Sequence, residues 1–431
     1  MNYGLSKNFY DTSKIPKDWK ETKLKYILSI SDHKSLNWDQ EKILSLTQKG
    51  IIERDITTNE GQIAGSYKKY ILVTQGEICM NPMDLLSGWV DISSYNGLIS
   101  PAYYTFKLKK EFDNKFINYF LQSNYFRKTF FKIGKGVASH DNFGRWVLTP
   151  EELRNFTIFF PSISEQNLIS DFLDTKTKKV ELLVKKINKK VELLKEQQMS
   201  LIDQYVTKGH NSNAEMKDSG VEWIGEIPKH WELTKIKYLS KIENGSTPKS
   251  NIEKYWDGLI KWFTPTDFKN ISEDGFLNKP SRFISEDGLK NSGCSYVEQD
   301  SILMTTRAPV GNIAKVKKGF TFNQGCKSIT PNEVNIDYLY FYLSTKDKVL
   351  NALSNGTTFQ ELSTVRLLNF AINLPSKTEQ TEIVTFLKKN TSKIKKMIEL
   401  LNTKVDRTKE YHQSLISSVV TGKVRVTEDM V

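Results

Sequence analysis

The stretch that decides the fold runs from Pro161 to Val206 and reads PSISEQNLISDFLDTKTKKVELLVKKINKKVELLKEQQMSLIDQYV. A second stretch, from Pro375 to Val420, repeats its PSxxEQ-type opening, its length and its close. Neither contains Gly, or Pro after its first residue. Apolar residues recur at steps of three and four with Lys and Glu between them, which is typical of a helix with one apolar face. The sequence therefore predicts two long helices.

The apolar faces of the two helices are predicted to form one seam, because neither helix can bury its face alone. At ~1.5 Å per residue each helix would be a rod of roughly 65 Å, a coiled-coil spacer between two globular units. Ser164 and Thr378 are suitable N-caps, and the Glu that follows each one complements the helix dipole. Polar residues interrupt the seam at Gln198, Thr408 and His412. The predicted seam consists of Val180, Leu183, Ile187, Val191, Leu194 and Leu201 in the first helix, and Ile394, Met397, Leu401, Val405, Leu415 and Val419 in the second.

The helices belong to a repeat that covers the whole chain. The motif IPKDW at residues 15–19 recurs as IPKHW at residues 227–231, and the same spacing leads on to KLKY and KIKY. The helix starts, Pro161 and Pro375, are 214 positions apart, and fainter matches between them follow an offset of 222. A period above 200 residues excludes solenoids built from short repeats. It predicts two copies of one domain, each followed by one helix.

The globular copies are expected to be mixed α/β (α+β) units with twisted sheets and a few helices. Strand-like segments, aromatic or β-branched, lie at 70–73, 103–106, 302–304 and 321–322, while residues 113–132 and 336–353 favour helices. The fold class is thus two such domains joined by two long antiparallel helices in a pseudo-two-fold repeat. The predicted boundaries are 1–160 for the first domain, 161–209 for the first helix, 210–374 for the second domain, and 375–431 for the second helix with the tail.

Composition excludes several classes of protein. The net charge of +12 is modest and favours a polyanionic partner only weakly, because a charge count has no geometry. Three cysteines are too few and too scattered for a disulfide framework or a zinc site. The sequence has no signal-peptide pattern and no apolar run near the ~20 residues that span a bilayer. A soluble cytoplasmic protein is expected, rather than a secreted or membrane protein.

Motifs for catalysis and for cofactors are missing from the sequence. It contains no phosphate-binding loop of the form GxxxxGK[ST], no GxGxxG after a strand, and no [DN]PP-aromatic motif. The five histidines are isolated, without the spacing of metal ligands. We therefore predict that the chain is not an enzyme and binds neither a metal nor a cofactor itself.

The central junction of the chain reads VTKGHN at 206–211 and MKDSGVEWIGEIPKHW at 216–231. These residues closely resemble the central junction of type I restriction–modification specificity subunits. The PxxxEQ helix starts, SPAY at 100–103, RAP at 307–309 and NQG at 323–325 are similar to that family as well. The resemblance covers essentially the whole chain in the family's order, although residues 1–14 hold no copy of the junction.

This resemblance implies a function without chemistry of its own. Two target-recognition domains would each read one half of a bipartite, asymmetric double-stranded DNA target, while the helices set the spacing between half-sites. The helices and domains would dock two adenine-N6 methyltransferase subunits and, through them, two ATP-dependent restriction subunits. S-adenosylmethionine, ATP and Mg would be bound by those partners and not by this chain.

The residues that read bases are expected where both copies use the same strand or loop. The offset of 222 aligns residues 100–104 with 322–326, and a Gly-rich basic loop at 134–145 marks a point where the copies diverge in length. Bases are read by Arg, Lys, Asn, Gln and hydroxyl groups. For each candidate a surface ion pair or a packing role is an equally good interpretation, most of all for the two tyrosines. The candidates are Arg307, Asn323, Gln324, Lys327, Lys135, His140, Arg145, Tyr103 and Tyr104.

Two other classes of function fit the same features. A stand-alone regulator with two DNA-binding domains would need no methyltransferase partner. A coiled-coil scaffold would show no salt-dependent binding to duplex DNA.

Overall fold

The structure, a computed structural model, describes residues 15–47, 50–58, 64–83, 90–109, 112–133, 135–137, 145–307, 309–354 and 361–431, with the side chains at 129–147 excepted. The chain divides into two compact units. The first contains the residues up to Ile187 and those from Thr403 onward, and the second runs from Asn188 to Asn402. Each unit includes a part of both long helices, because a helix packs on whichever elements lie beside it. These compact units therefore differ from the domains outlined by the sequence repeat.

The first unit is built around a four-stranded antiparallel sheet with the order β2-β9-β6-β7. Shorter strand pairs surround it, and α1 and α2 pack on it. Its elements are β1 (Lys20–Lys23), β2 (Leu28–Ser31), β3 (Leu44–Thr47), β4 (Gly50–Glu53), β5 (Ile71–Val73), β6 (Ile78–Met80), β7 (Val90–Ile92), β8 (Gly97–Ile99), β9 (Tyr104–Leu108), α1 (Asn114–Gln122), α2 (Asn124–Ile133), β10 (Lys135–Val137), β11 (Arg145–Val147), α3 (Pro150–Asn155), β12 (Thr157–Phe160) and the start of α4 (Ile163–Lys208).

The second unit repeats this sheet in the order β16-β22-β19-β20 and adds a three-stranded sheet, β18-β17-β21. Its elements are β13 (Met216–Asp218), β14 (Glu226–Pro228), β15 (Glu232–Lys235), α5 (Ile236–Leu239), β16 (Ser240–Asn244), β17 (Trp256–Phe263), β18 (Arg282–Ile284), α6 (Glu286–Lys290), β19 (Ser301–Thr305), β20 (Ile313–Val316), β21 (Phe320–Phe322), β22 (Cys326–Pro331), α7 (Ile336–Ser344), α8 (Asp347–Ala352), α9 (Thr364–Leu368), β23 (Ala371–Leu374) and the start of α10 (Lys377–Val420).

The two sheets correspond strand by strand, at the offsets that the sequence repeat shows. Strands β1 and β2 match β15 and β16 after 212 residues, and β9 with α1 matches β22 with α7 after 222. Helix α3 and strand β12 match α9 and β23 after 214. The predicted fold class, a repeated mixed α/β domain with two long helices, is confirmed.

Each of the two regions predicted to be helical within the domains forms two helices instead of one. Residues 113–132 form α1 and α2, because Ser123 is extended and its hydroxyl donates to the carbonyl oxygen of Phe120 (2.6 Å). Residues 336–353 likewise divide into α7 and α8 around Thr345. The backbone leaves the helix at these points, although the apolar pattern continues across them.

The N-caps of the long helices lie two residues before the predicted ones. Ser162 Oγ accepts the backbone N–H of Glu165 (3.2 Å), and Ser376 Oγ accepts that of Glu379 (3.3 Å). Ser164 and Thr378 lie inside α4 and α10, so their assignment as caps is wrong. Pro161 and Pro375, directly before each Ser, have a fixed φ and no backbone N–H, and each helix begins immediately after the capping Ser.

The Gln of each PxxxEQ motif fastens a long helix to its sheet domain. Gln166 is buried, its Nε2 donates to the carbonyl oxygen of Pro161 (3.0 Å), and its Oε1 accepts the backbone N–H of Asp113 (3.0 Å). Gln380 makes the same two bonds, at 2.9 and 2.8 Å, with Pro375 and Asn335. Asp113 and Asn335 are the N-caps of α1 and α7. The motif therefore joins two helix N-termini in each unit.

The buried face of the long helices agrees with the predicted seam at about half of its positions. Ile187, Val191, Leu194, Ile394, Val405 and Val419 are buried, while Val180, Leu201, Leu401 and Leu415 are partly buried. Leu183 and Met397 are 39% and 45% exposed, so their placement on a buried seam is wrong. Next to Leu201 and Leu415, the more deeply buried side chains are those of Ile202 and Ile416. Where two adjacent residues are both apolar, the 3.6-residue period alone does not say which one turns inward.

Candidate nucleic-acid interface

Four predicted base-reading residues come together at one end of the second unit's four-stranded sheet. Strand β19 ends where β22 begins, because Thr305 pairs with Cys326. Arg307 follows β19, residues 323–324 precede β22, and Lys327 is its second residue. We call Arg307, Asn323, Gln324 and Lys327, with the neighbours that hold them, the second-unit edge.

Lys327 is a buried cation at this edge. It is 5% exposed, and its Nζ donates to Asn244 Oδ1 at 2.7 Å. Thr364 Oγ1 donates to the same oxygen at 2.8 Å. Burial lowers the pKa of the Lys327 ammonium, with the nearby charge of Arg307 acting in the same direction. The carboxylate of Glu361 acts in the opposite direction on this pKa, although among the described residues no carboxylate lies within ion-pair distance of Lys327.

Arg307 lies near Lys327, and its side chain is held by a hydrogen bond to one carboxylate. Its Nε donates to Glu361 Oε2 at 3.1 Å, and the side chain is half exposed. The backbone around it is fixed, since Thr306 donates its N–H to Gly325 O (2.8 Å) and Leu362 donates its N–H to Thr306 O (2.9 Å). A guanidinium has five N–H donors in one plane, and one is used here. The terminal nitrogens can therefore form the bidentate contact by which Arg recognises guanine or phosphate.

Asn323 and Gln324 have different roles in the turn before β22. Asn323 Oδ1 accepts the backbone N–H of Gly325 (2.9 Å), so this side chain shapes the turn. Gln324 is exposed, and its Oε1 accepts a hydrogen bond from the hydroxyl of Thr247. Gly245 lets the two loops meet, because a Cβ there would come within 2.0 Å of the carbonyl oxygen of Asn323. Of the pair, Gln324 has the accessible amide.

The matching end of the first unit's sheet carries different side chains. Tyr104 begins β9 beside Met80, where β6 ends, and its hydroxyl donates to the carbonyl oxygen of Leu148 (3.1 Å). Burial raises the pKa of Tyr104. Tyr103 packs against a buried cluster that includes Val73 and Ile99. Both tyrosines thus take part in packing, as one of the two sequence interpretations expected.

The basic loop of the first unit contains a strand pair at this same end, which we call the hairpin. Strands β10 and β11 pair antiparallel, with Lys135 opposite Val147 and Val137 opposite Arg145. Directly after β11, Leu148 donates its N–H to the carbonyl oxygen of Pro82 (3.1 Å). His140 and the side chains of Lys135 and Arg145 lie outside the described part of the chain. The hairpin, with 82–83 and 103–104, forms what we call the first-unit edge.

The two edges are equivalent positions of the repeat. Leu148 and Leu362 are both fully buried and are 214 residues apart, and each donates its N–H to a carbonyl oxygen just after the matching strand, that of Pro82 after β6 and that of Thr306 after β19. Three residues that the sequence did not single out hold the candidate side chains in place, namely Asn244, Thr247 and Glu361. Asn244 aligns with Asp32 at the offset of 212, and a polar residue at the end of the first sheet strand in both copies was a usable signal.

The histidine, cysteine and carboxylate side chains of the described residues bear on metal binding and on thiol chemistry. No group of three His, Cys, Asp or Glu side chains able to hold a metal ion occurs within the described ranges. Burial raises the pKa of the Cys326 thiol to about 12 and that of Cys79 still further, which leaves both as thiols. In the same ranges no helix is long and apolar enough to cross a membrane.

The family model of the type I restriction modification DNA specificity domain matches residues 16–193 and, a second time, residues 228–403. The chain belongs to this family. The specificity domain thus occurs twice, and each copy contains one four-stranded sheet and one of the two edges. The family confirms the resemblance drawn from the junction motifs, and with it a DNA-specificity subunit that is not itself an enzyme.

Individual relatives agree with the family. The type I restriction enzyme MjaIX specificity subunit of Methanocaldococcus jannaschii is 39% identical over 38% of this chain and 38% of its own length. The putative MjaX specificity subunit of the same organism is 24% identical over 99% of both chains. A solved structure from work on complex assembly and conformational transition of the type I R-M system superposes with a TM-score of 0.65 at 15% identity, covering 95% of this chain and 99% of the other. That likeness shows the shared fold.

Proposed function

We propose that each unit of this specificity subunit reads one half of a bipartite, asymmetric DNA target through its sheet edge. The observation that carries the proposal is that equivalent edges present different groups. Lys327, at the second-unit edge, corresponds to Thr105 in the first, where the hydroxyl donates to the carbonyl oxygen of Ser31. The scaffold repeats while the groups available to a ligand change, which is what two different half-sites require.

The second-unit edge combines a positioned guanidinium, a buried ammonium and an exposed amide. Arg307 and Gln324 have the donor and acceptor patterns that match guanine and adenine in the major groove. Lys327, whose ammonium donates to Asn244 and forms no direct ion pair among the described residues, would add positive charge beside them for a phosphate or a base acceptor. Asn323 and Glu361 act by positioning, since their carbonyl and carboxylate oxygens already accept bonds from the turn and from Arg307.

The long helices are proposed to set the spacing between the half-sites and to take part in docking partner subunits. α4 and α10 are continuous over 46 and 44 residues, and they would set the spacing between the half-sites. One chain that carries both reading domains turns the second contact into an intramolecular step, which multiplies two modest affinities. The helices and domains would dock two methyltransferase subunits, which would carry S-adenosylmethionine, and through them two restriction subunits, which would carry ATP and Mg.

The test is a map of N6-methyladenine in cells that express the chain with its own methyltransferase subunit. A bipartite motif that disappears when the chain is deleted is the expected result. Arg307→Ala should relax one position of one half-site by about 1–3 kcal/mol and leave the other half-site unchanged. Lys290→Ala is the matched control, because Lys290 is an exposed cation that pairs with Glu286 of its own helix.

Two results would contradict this function. One is a methylation pattern that does not depend on the chain. The other is an Arg307→Ala motif that is identical to the wild-type motif at every position.

A further inference from the structure

Each unit has one surface segment whose exposed residues, as well as its buried ones, are repeated in the other unit. Residues 19–28 and 231–240 have the same sequence of buried, half-buried and exposed positions. The buried members, such as Leu24 and Ile236, serve the fold. Three exposed members are identical in both copies: Lys23 and Lys235, Lys25 and Lys237, and Tyr26 and Tyr238.

The two tyrosines are unusually exposed for aromatic residues. Tyr26 is 56% exposed and Tyr238 is 67% exposed. In each unit the preceding lysine covers the ring, with its Nζ 5.0 Å from the centroid in the first unit and 4.9 Å in the second. The geometry of a cation beside an accessible ring is therefore reproduced twice. We call these residues, with Lys23 and Lys235, the Lys–Tyr patch of each unit.

Neighbouring exposed positions have diverged, so shared ancestry alone does not explain the patch. Lys20 corresponds to Glu232 and Glu21 corresponds to Leu233, and all four are exposed. At the edges, Lys327 corresponds to Thr105. Exposed residues that contribute little to stability are free to change between copies. Those that stay identical on both units indicate a ligand that is the same for both.

The patch lies at the end of the sheet opposite the edge. β2 and β16 end at the edge, where Ser31 pairs with Thr105 and Asn244 pairs with Lys327. Tyr26 and Tyr238 precede the first residues of those same strands. A ligand on the patch therefore approaches the end of the unit away from the bases that are read.

We propose that the Lys–Tyr patch is the docking point for two copies of one protein, the methyltransferase subunit, with one copy on each unit. This inference rests on the proposed function and adds the contact surface to it. Tyr is enriched in the cores of protein interfaces, where an exposed ring buries a large area at little entropic cost. The flanking lysines require a partner surface that offers carboxylates around an apolar pocket for the ring.

The experiment uses the full chain co-expressed with its own methyltransferase subunit, and native mass spectrometry counts the partners bound. The wild-type chain is expected to bind two. Tyr26→Ala or Tyr238→Ala should leave one tight site and weaken the other roughly tenfold or more, the effect of losing an interface hot spot. The double variant should lose both. Lys25→Glu with Lys237→Glu should weaken both sites, because it reverses the charge that the partner meets.

Matched controls are Tyr95→Ala in the first unit and Tyr296→Ala in the second. Both tyrosines are exposed, at 38% and 43%, and lie outside the repeated pattern. These variants should bind two partners. The Tyr26 and Tyr238 variants should unfold at the wild-type temperature, because their rings are exposed.

Failure of the docking patch and failure of the proposed function give different experimental results. If the double variant binds two methyltransferase subunits as tightly as the wild type, the patch is not the docking point. If it keeps both partners but the isolated chain loses affinity for duplex DNA at low salt, the patch contacts phosphates and the proposal is overturned. If the wild-type chain itself binds no methyltransferase subunit, the proposed function fails first.

Discussion

The two units agree where the long helices begin and differ where the sheets end. At the helix starts, Gln166 and Gln380 make the same pair of hydrogen bonds with lengths that agree within 0.2 Å. At the sheet ends, the first unit has a packed tyrosine and a hairpin, whereas the second has a buried Lys and a positioned Arg. Residues that hold the fold are therefore repeated in both units, whereas the residues proposed to meet the DNA differ between them.

The tryptophans of the two IPKxW motifs give the strongest test of this comparison. Trp19 and Trp231 are buried, and the ring of each packs on the glycine that ends a long helix, Gly422 or Gly209. Both glycines have positive φ, 73° and 77°, which a helix C-cap requires. Trp231→Ala and Trp19→Ala should each lower the free energy of unfolding of their own unit by about 3–5 kcal/mol. Denaturant unfolding of the two variants measures it, and a loss in only one unit would break the equivalence.

The glutamines of the PxxxEQ motifs come next. Gln380→Ala leaves the backbone N–H of Asn335 without its partner, and Gln166→Ala does the same to Asp113. Each should cost about 1–3 kcal/mol of unfolding free energy, the penalty for an unsatisfied buried donor. Thermal melts of the two variants should show similar shifts. Thr381→Ala, at an exposed neighbour of Gln380 whose hydroxyl bonds within its own helix, is the control and should have little effect.

The N-cap serines of the two long helices should contribute less to the free energy of unfolding than the glutamines do. Ser162→Ala and Ser376→Ala should each cost about 1 kcal/mol, because the hydroxyls accept N–H groups at the helix start. Ser164→Ala and Thr378→Ala lie inside the helices and should be close to neutral. A larger loss from the second pair than from the first would show that the caps are placed wrongly.

Substitution of Lys327 should change the free energy of unfolding least, and it should raise this free energy rather than lower it. Since burial lowers the pKa of its ammonium, the folded chain binds this proton less readily than the unfolded chain does. Its contribution to unfolding free energy therefore rises with pH between the lowered pKa and the usual value of ~10.4, and is constant and unfavourable below that window. Lys327→Met should stabilise the second unit by less than about 1 kcal/mol at neutral pH. It should also remove this alkaline rise and weaken DNA binding.

A pH titration of unfolding, with Lys290→Met as the exposed control, checks the prediction. Equal pH dependence in the wild type and Lys327→Met would show that the ammonium is solvated like any surface lysine. Thr105, the equivalent residue in the first unit, has no charge to lose, so the effect should be confined to one unit.

Some local structure could be predicted because its cause lies within a few residues. The long helices follow from a continuous 3.6-residue pattern without Gly or Pro, and α4 and α10 appear nearly at the predicted bounds. The breaks at Ser123 and Thr345 could not be predicted, because the apolar pattern continues across them. The same holds for Leu183 and Met397, which are apolar and yet exposed.

The sequence by itself determined the repeat, the two helices and the family, because these depend on spacings and motifs along the chain. Only the tertiary structure brought Arg307, which follows one strand, beside Lys327 in another, and supplied Asn244 and Glu361 to hold them. Those contacts join residues between 54 and 83 positions apart in the sequence. Antiparallel pairing of β16 with β22 brings Asn244 to Lys327, while Glu361 meets Arg307 outside the strands, and no local pattern records which of these segments will meet.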